Sequence, residues 1–357
     1  MGLPKSAPAS TSRAMRFFEP SRSATLTELA ERLNGRVVRG GDTVVRDICH
    51  LGNAAADAIG YVASVRALRG LDELPPILIA TEDVLGSLDA VPAVMVHEAP
   101  QTAFAAVGRY LYDLEGPRRY GGDVHPTANI HETASLEDGV RIGANATIEE
   151  GVQVGWGTYI GAGAVITRDC RIGRDCDIGP NVTLTASLLG DRVEVQANSV
   201  IGEPGFGYVP GPTGVERVVQ VGRVIVQDDV HIGSTVCIDR GSIGDTVIGE
   251  GTKVGNMQQI AHNTRIGRHC IVVGNGGIAG SVTIGDGVTI AGGVFVLDHS
   301  TIGSGATIAG ITMVRGTVPP GVTWGGIPAR PVEDYLRDMA EISARSKRRA
   351  RGKGNVA

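Results

Sequence analysis

Two histidines stand where the surrounding sequence is repetitive and has no structural need of them. His262 lies in GNMQQIAHNTRIG and His299 in VFVLDHSTIG. An imidazole titrates near neutrality, so it can take a proton from an attacking nucleophile and pass it on. His262 is the candidate general base, with turn capping as the alternative. His299 reads as a ligand contact or proton shuttle rather than a second base. His125, His131, His231 and His269 sit at turns or coil entries and read as surface groups. No Ser or Cys carries a local nucleophile signature, which favours direct transfer between two bound substrates over a covalent enzyme intermediate. No cluster has metal-ligand spacing, and a single Mg2+ held partly by a diphosphate would leave little trace. The five cysteines, Cys49, Cys170, Cys176, Cys237 and Cys270, include no CxxC pair, and their odd count argues against a disulfide or zinc framework.

The elements that must position these groups are written in a period of six. From Ile130 to Val314 an aliphatic residue returns every sixth position, with two interruptions. That period fits neither an α-helix nor a half-buried strand. It fits a solenoid: each six is a short strand plus a turn, three sixes make a triangular coil, and coils stack as parallel strands about 4.8 Å apart. The aliphatic residues then point into a narrow prism. Small residues, as in IGANAT, IGAGAV and IGDGVT, are needed beside them because three walls converge on one axis. His262 follows the inward Ile260 by two positions and His299 follows Val296 by three. Their separation of 37 residues is two coils plus one residue, which predicts one wall and an axial distance of about 9 to 10 Å, room for a ligand between them. The interruptions fall at 188–225 and 239–247. The first contains GEPGFGYVPG, where Gly205 and Gly207 permit a tight turn and Phe206 and Tyr208 are expected on a loop bordering the site. The alternative is that both rings pack the loop back onto a coil.

Composition sets the frame. In 357 residues there are 52 glycines and few aromatics, a bias that belongs to the repeat rather than to disorder. No apolar run reaches membrane-spanning length and residues 1–24 lack a signal-peptide core, so a cytoplasmic protein is expected. MGLPKS fits the loose myristoylation pattern at Gly2 and Ser6 by chance, and Met15 is an alternative start. Residues 1–24 read as a flexible extension. Residues 25–115 read as a mixed α/β domain, with a capping box from Thr25 to Glu28 opening the helix LTELAERL and apolar strands ILIA and AVMV following. A linker, EGPRRYGGDVHP, leads to the solenoid at 124–328. A helix at 331–346 places Val332, Tyr335, Leu336, Met339 and Ile342 on one face. A three-sided prism with a capping helix suggests a symmetric trimer. The basic tail at 347–357, led by Arg345, opposes a net charge of -5 and reads either as a solvated end or as a docking patch for an acidic partner. Nucleic acid is disfavoured, because the rest of the chain offers no basic groove with interleaved aromatics.

The hexads resemble those of the hexapeptide-repeat acyltransferases, and that resemblance, rather than the usual right-handed crossover rule, implies coils that wind left-handed. The fold class expected is therefore mainly β: a left-handed parallel β-helix with an N-terminal α/β domain and a C-terminal helix. The order of parts is narrower. An α/β domain, the solenoid, GEPGFGYVPG, VGRVIV, CIDRGSIGDTVIG, QIAHNTRIG, IAGSVTIG and WGGIPARP together resemble the UDP-3-O-(3-hydroxyacyl)glucosamine N-acyltransferases of lipid A synthesis over roughly residues 25–342. Both hexad breaks fall where that family carries them. The related O-acyltransferases of UDP-N-acetylglucosamine lack such an N-terminal domain.

The resemblance implies transfer of a 3-hydroxyacyl chain from the phosphopantetheine of acyl carrier protein to the 2-amino group of a UDP-linked glucosamine, with no tightly bound cofactor. His262 would be the base and the Gly280 N–H the oxyanion donor. Asn256 and Gln259 would hold the sugar or pantetheine arm, with Asn263, His299, Phe206 and Tyr208 as further contacts. Met313 would line an acyl groove and Tyr61 would stack on uracil. The carrier protein is acidic, which gives the basic tail a purpose. Three positions depart from the family pattern. Where the family has an F-x-x-N-P-K-Y-like motif, this chain reads YVASVRA, with Ser64 and Ala67 replacing Asn and the second aromatic, at a cost of about 1 kcal/mol or more of nucleotide affinity. Gly255 stands where some relatives carry an acid seven positions before the base, which leaves Asp298, beside His299, as a stand-in for orienting it. These changes keep two alternatives in view: an N-acyl- or acetyltransferase for another nucleotide-linked amino sugar, and a non-catalytic β-helix scaffold.

Overall fold

The structure, a computed structural model, describes residues 17–52, 55–112, 124–326 and 336–345. The chain divides into two compact units, Met1–Tyr120 and Gly121–Ala357.

In the first unit the apolar segments Ile77–Ala80 and Ala93–Val96 form the middle of a five-stranded sheet. Its order is Arg36–Arg39, Ala93–Val96, Ile77–Ala80, Ala58–Val62, Asp47–Ile48, antiparallel at the first pair and parallel beyond. A parallel strand is covered on both faces, so a continuous apolar run such as ILIA suits it. Ile59, Ile77 and Ile79 pack beneath α1 (Leu26–Leu33) and α2 (Pro100–Leu111), while Val62, Leu78 and Ala80 pack with Val84 and Leu88 on the other side. The expected capping box opens α1: Thr25 Oγ1 accepts from the Glu28 N–H at 3.2 Å, and a Glu28 carboxylate oxygen accepts from the Thr25 N–H at 2.7 Å. Ser21 and Arg22 donate backbone N–H to the Leu111 carbonyl at 2.8 and 3.2 Å. The packed chain therefore begins ahead of Thr25, inside the stretch read as an extension; residues 1–16 of that stretch lie outside the described residues.

The second unit is the solenoid. Three parallel sheets of ten strands each form its walls. Where the hexad is regular, neighbours on one wall are 18 residues apart, as in the register Ile142↔Ile160↔Ile178. Ile148, Val154, Ile160 and Ile166 point inward and are 1% exposed or less. A two-residue strand cannot bury itself, so each coil is held by the coils above and below it. Most regular corners are turned by a residue in the left-handed region, and Asn145, Asp169, Asn181 and Asn263 occupy it with φ between 56° and 61°. Asn and Asp tolerate that conformation better than other residues with a Cβ.

The first wall begins at Asn129–Ile130 and includes Val200–Pro204, Cys237–Arg240, Gln258–Ile260, Gly276–Ile278, Phe295–Val296 and Met313–Val314. The second begins at Ser135–Leu136 and the third at Arg141–Ile142. The first hexad break is an excursion carrying the antiparallel hairpin Tyr208–Gly211 and Gly214–Arg217. The second is a short loop between Cys237–Arg240 and Asp245–Ile248. Cys170, Cys176 and Cys270 are buried in the walls, and all five cysteines are unpaired. Residues 336–345 are helical; the first turn of the expected C-terminal helix, the linker at 115–123 and the basic tail at 347–357 lie outside the described residues. No helix among the described residues is long and apolar enough to cross a membrane.

Ile260, fully buried, closes the coil that carries His262. Ile260→Ala is expected to lower unfolding free energy by about 2–5 kcal/mol, because three packed walls cannot collapse into the cavity. Urea unfolding followed by circular dichroism measures this, and a loss below about 1 kcal/mol would mean that the walls do close in.

Candidate active site

The site is built at the corner between the first and second walls. Ile260 faces inward, Asn263 turns the corner with φ 61°, and His262 stands one residue ahead of the turn, half-buried. Its ring lies against the next coil. A Cβ on Gly280 would be 2.7 Å from the imidazole Cε1 and 2.9 Å from Nε2, closer than any side chain can sit. Glycine in IAGS is thus the vacancy into which the ring fits. The Gly280 carbonyl accepts from the His299 N–H at 3.2 Å, whereas its own N–H takes no part in the ladder between coils.

The tautomer of His262 follows from its neighbours. Asn263 Oδ1 accepts from the Ser242 N–H at 3.1 Å and from the Ser242 hydroxyl at 2.7 Å, and it lies 3.1 Å from His262 Nδ1. A backbone N–H only donates, so the group it meets on Asn263 must be the amide oxygen. Two acceptors do not bond each other, so Nδ1 must carry the proton. Nε2 is then the basic nitrogen, on the ring edge nearer Gly280. The orienting group is an amide rather than a carboxylate. Asp298, read from sequence as the stand-in for orienting the base, is instead exposed at its own corner, and Asn263 is the group that faces Nδ1.

Both hexad breaks converge on this corner. The second delivers Ser242 to Asn263. The first delivers Gly205: a Cβ there would lie 3.0 Å from His262 Cδ2 and 3.0 Å from Asp239 Oδ2. Gly205 is locked by Gln220, whose buried amide accepts from the Gly205 N–H at 2.9 Å and donates to its carbonyl at 3.1 Å. Arg240 Nε donates to the Gln220 carbonyl at 2.9 Å. One side chain therefore closes the base of the whole excursion. Asp239 sits in the half-buried space this creates and accepts from Gln259 Nε2 at 3.1 Å. Burial pushes its carboxyl above the ordinary value, with the Gln259 hydrogen bond and nearby His262 acting in the opposite direction.

The remaining residues singled out from sequence are dispersed. Gln259 is exposed on the first wall, bound to Asp239. His299 stands at the same corner as His262, two strands along the first wall, so about 9 to 10 Å away along the axis. It occupies the left-handed position itself, φ 55°, the position equivalent to Asn263 rather than to His262. Phe206 is 83% exposed and meets Tyr208 in a tilted ring contact, 4.9 Å between ring centroids. Met313 is exposed and registers beside Phe295, whose ring lies over Gly277; together they make an apolar strip on the first wall. Asn256 is not brought to His262. It lies at the opposite corner of the wall, with Oδ1 accepting from the Ser234 N–H at 2.8 Å. In the first unit Tyr61 is half-buried against Phe104, ring centroids 5.0 Å apart. No three His, Cys, Asp or Glu among the described residues are grouped to hold a metal ion. Sequence reading missed Asp239, Gln220, Ser242 and Phe295. The first three lie in or beside the hexad breaks, and that was the one signal available for them.

The family model for the bacterial transferase hexapeptide (six repeats) matches residues 133–168, and that for the hexapeptide repeat of succinyl-transferase matches 170–203 and 263–297. The UDP-3-O-acylglucosamine N-acyltransferase of Rhizobium meliloti is 44% identical over 346 residues, covering 95% of this chain and 98% of the relative. That of Agrobacterium fabrum is 51% identical, covering 95% and 97%. Among solved structures, the UDP-N-acetylglucosamine acyltransferase from Campylobacter jejuni aligns with TM-score 0.43 at 23% identity, over 56% of this chain and 69% of that one. With near-complete coverage at these identities, the chain belongs to the UDP-3-O-acylglucosamine N-acyltransferase family.

Proposed function

We propose that the His262 corner transfers a 3-hydroxyacyl chain from the phosphopantetheine of acyl carrier protein to the 2-amino group of UDP-3-O-acylglucosamine in lipid A biosynthesis. One observation carries the mechanism: Asn263 fixes the His262 proton on Nδ1 and so leaves Nε2 basic at the ring edge nearer Gly280. The acceptor amine attacks the thioester carbonyl carbon. As the C–N bond forms, Nε2 takes a proton from the nitrogen, and the Gly280 N–H meets the charge developing on the carbonyl oxygen. The C–S bond then breaks, the imidazolium returns its proton to the departing sulfur, and the products are an amide and a free pantetheine thiol. The donor brings its own arm, so the protein needs no further cofactor.

Gln259, His299 and the Phe206–Tyr208 pair are suited to contact the bound substrates, and the Phe295–Met313 strip suits an acyl chain. The family resemblance makes Tyr61, in the first unit, the candidate for uracil stacking. The basic tail suits the acidic carrier protein. A homotrimer would cover the exposed apolar side chains of Met257, Ile271, Val273 and Ile311.

His262→Ala should lower kcat/KM for this transfer by about 100- to 10,000-fold with the fold intact, and an unchanged rate would remove His262 from the mechanism. Gly280→Ala, by displacing the ring it contacts, should cost about 100-fold, mainly in kcat. Asn263→Asp places a carboxylate on Nδ1–H, favours the imidazolium and raises its pKa. The acid limb of the pH–rate profile should then move to higher pH by about one unit or more. An unmoved limb would mean that Asn263 does not set the state of the base.

A further inference from the structure

We propose that Asp239 binds the acceptor's amine as an ammonium beside His262, and so selects an amine over a hydroxyl at the reacting carbon. The inference rests on the acyl-transfer reading above and goes further by giving acceptor choice to one side chain. Asp239 lies in Cys237–Arg240, which neighbours Gln258–Ile260, the strand that leads to His262, on the first wall. A carboxylate offers about four acceptor sites, yet this half-buried one receives a single neutral donor, Gln259 Nε2. The bonds of the neighbouring guanidinium groups go to other partners: Arg240 Nε donates to the Gln220 carbonyl, and Arg223 to both oxygens of Asp245 at 3.0 Å. A half-buried anion short of partners is stabilised by a cation that arrives with the ligand.

Gly205 keeps that place open. The point its Cβ would occupy is 3.0 Å from both Asp239 Oδ2 and His262 Cδ2, so twice that distance is the most that can separate them. Carboxylate and imidazole thus border one space, which a side chain at position 205 would fill. A sugar amine is partly protonated near neutral pH, whereas a hydroxyl at the same carbon carries no charge. Binding as ammonium is followed by release of one proton to solvent. The neutral amine keeps an N–H on Asp239 and has its lone pair free for the thioester, and His262 takes the second proton during attack.

The test is calorimetric titration of the full chain, without acyl donor, with UDP-3-O-acylglucosamine and with UDP-3-O-acylglucose, which carries a hydroxyl in place of the amine. Asp239→Asn keeps the shape and an acceptor for Gln259. It should weaken the amine ligand about tenfold or more and change the hydroxyl ligand less than about twofold. Asp239→Glu, which keeps the charge, should retain most of the discrimination. Equal weakening of both ligands would show a merely structural residue, and no weakening of the amine ligand would show that the carboxylate does not meet it; either overturns the proposal. If the wild type neither binds nor acylates UDP-3-O-acylglucosamine, the acyl-transfer reading itself fails, independently of any Asp239 variant.

Discussion

Everything in the solenoid depends on how little room three converging walls leave. Inward positions accept an aliphatic side chain every sixth residue and small residues beside it, and the positions on the axis are almost all fully buried. Burial of each such side chain contributes roughly 1.5–3 kcal/mol, which gathers a long stack of two-residue strands into one cooperative body. The same constraint excludes chemistry from the interior. Polar function is confined to corners and outward rows, where a regular coil offers only a shallow surface.

A site with depth therefore requires the repeat to be broken, and the breaks are placed with that result. The excursion that begins at Gly205 and the loop at Ser242 leave different strands and meet over the same two residues, His262 and Asn263. Neither loop is left to find its own position. Gln220 clasps Gly205 through two hydrogen bonds, and Ser242 is held by the Asn263 amide. Asn263 serves twice, turning the corner in the left-handed conformation and setting the histidine tautomer, so glycine could do only the first of these jobs. Support of this kind holds the His262 ring in place before any ligand arrives.

Glycine supplies the complementary surface in the adjoining coil. Gly280 receives the His262 ring, Gly277 lies under Phe295, and Gly276 leaves space beside the buried amide oxygen of Gln258, an inward residue where aliphatic or small ones are usual. In each case a Cβ would lie about 3 Å or less from a neighbour's heavy atom. The run GNGGIAG looks like loss of wall residues when read alone; beside its neighbours it is the set of vacancies that lets larger side chains lie flat.

How far the sequence could be read follows from whether a feature is periodic. The hexad, the helix capped by Thr25 and Glu28 and the apolar strands of the first unit were legible because each depends on residues a few positions apart. His262 stood out for the same reason, as a polar group in a pattern that excludes it. The place of Asn256 was not legible: six residues along this chain are one full wall, which carries it from the His262 corner to the far one. Asp239 and Gln220 escaped notice because their partners, Gln259 and Gly205, lie 20 and 15 residues away. The sequence alone determined a prism of parallel coils and singled out His262 as the residue proposed here as base, since hydrophobic periodicity and side-chain type are read from local spacing. Only the tertiary structure decided which amide orients that base, which glycine makes room for it and which carboxylate stands beside it, because irregular loops carry no period from which their landing point can be counted.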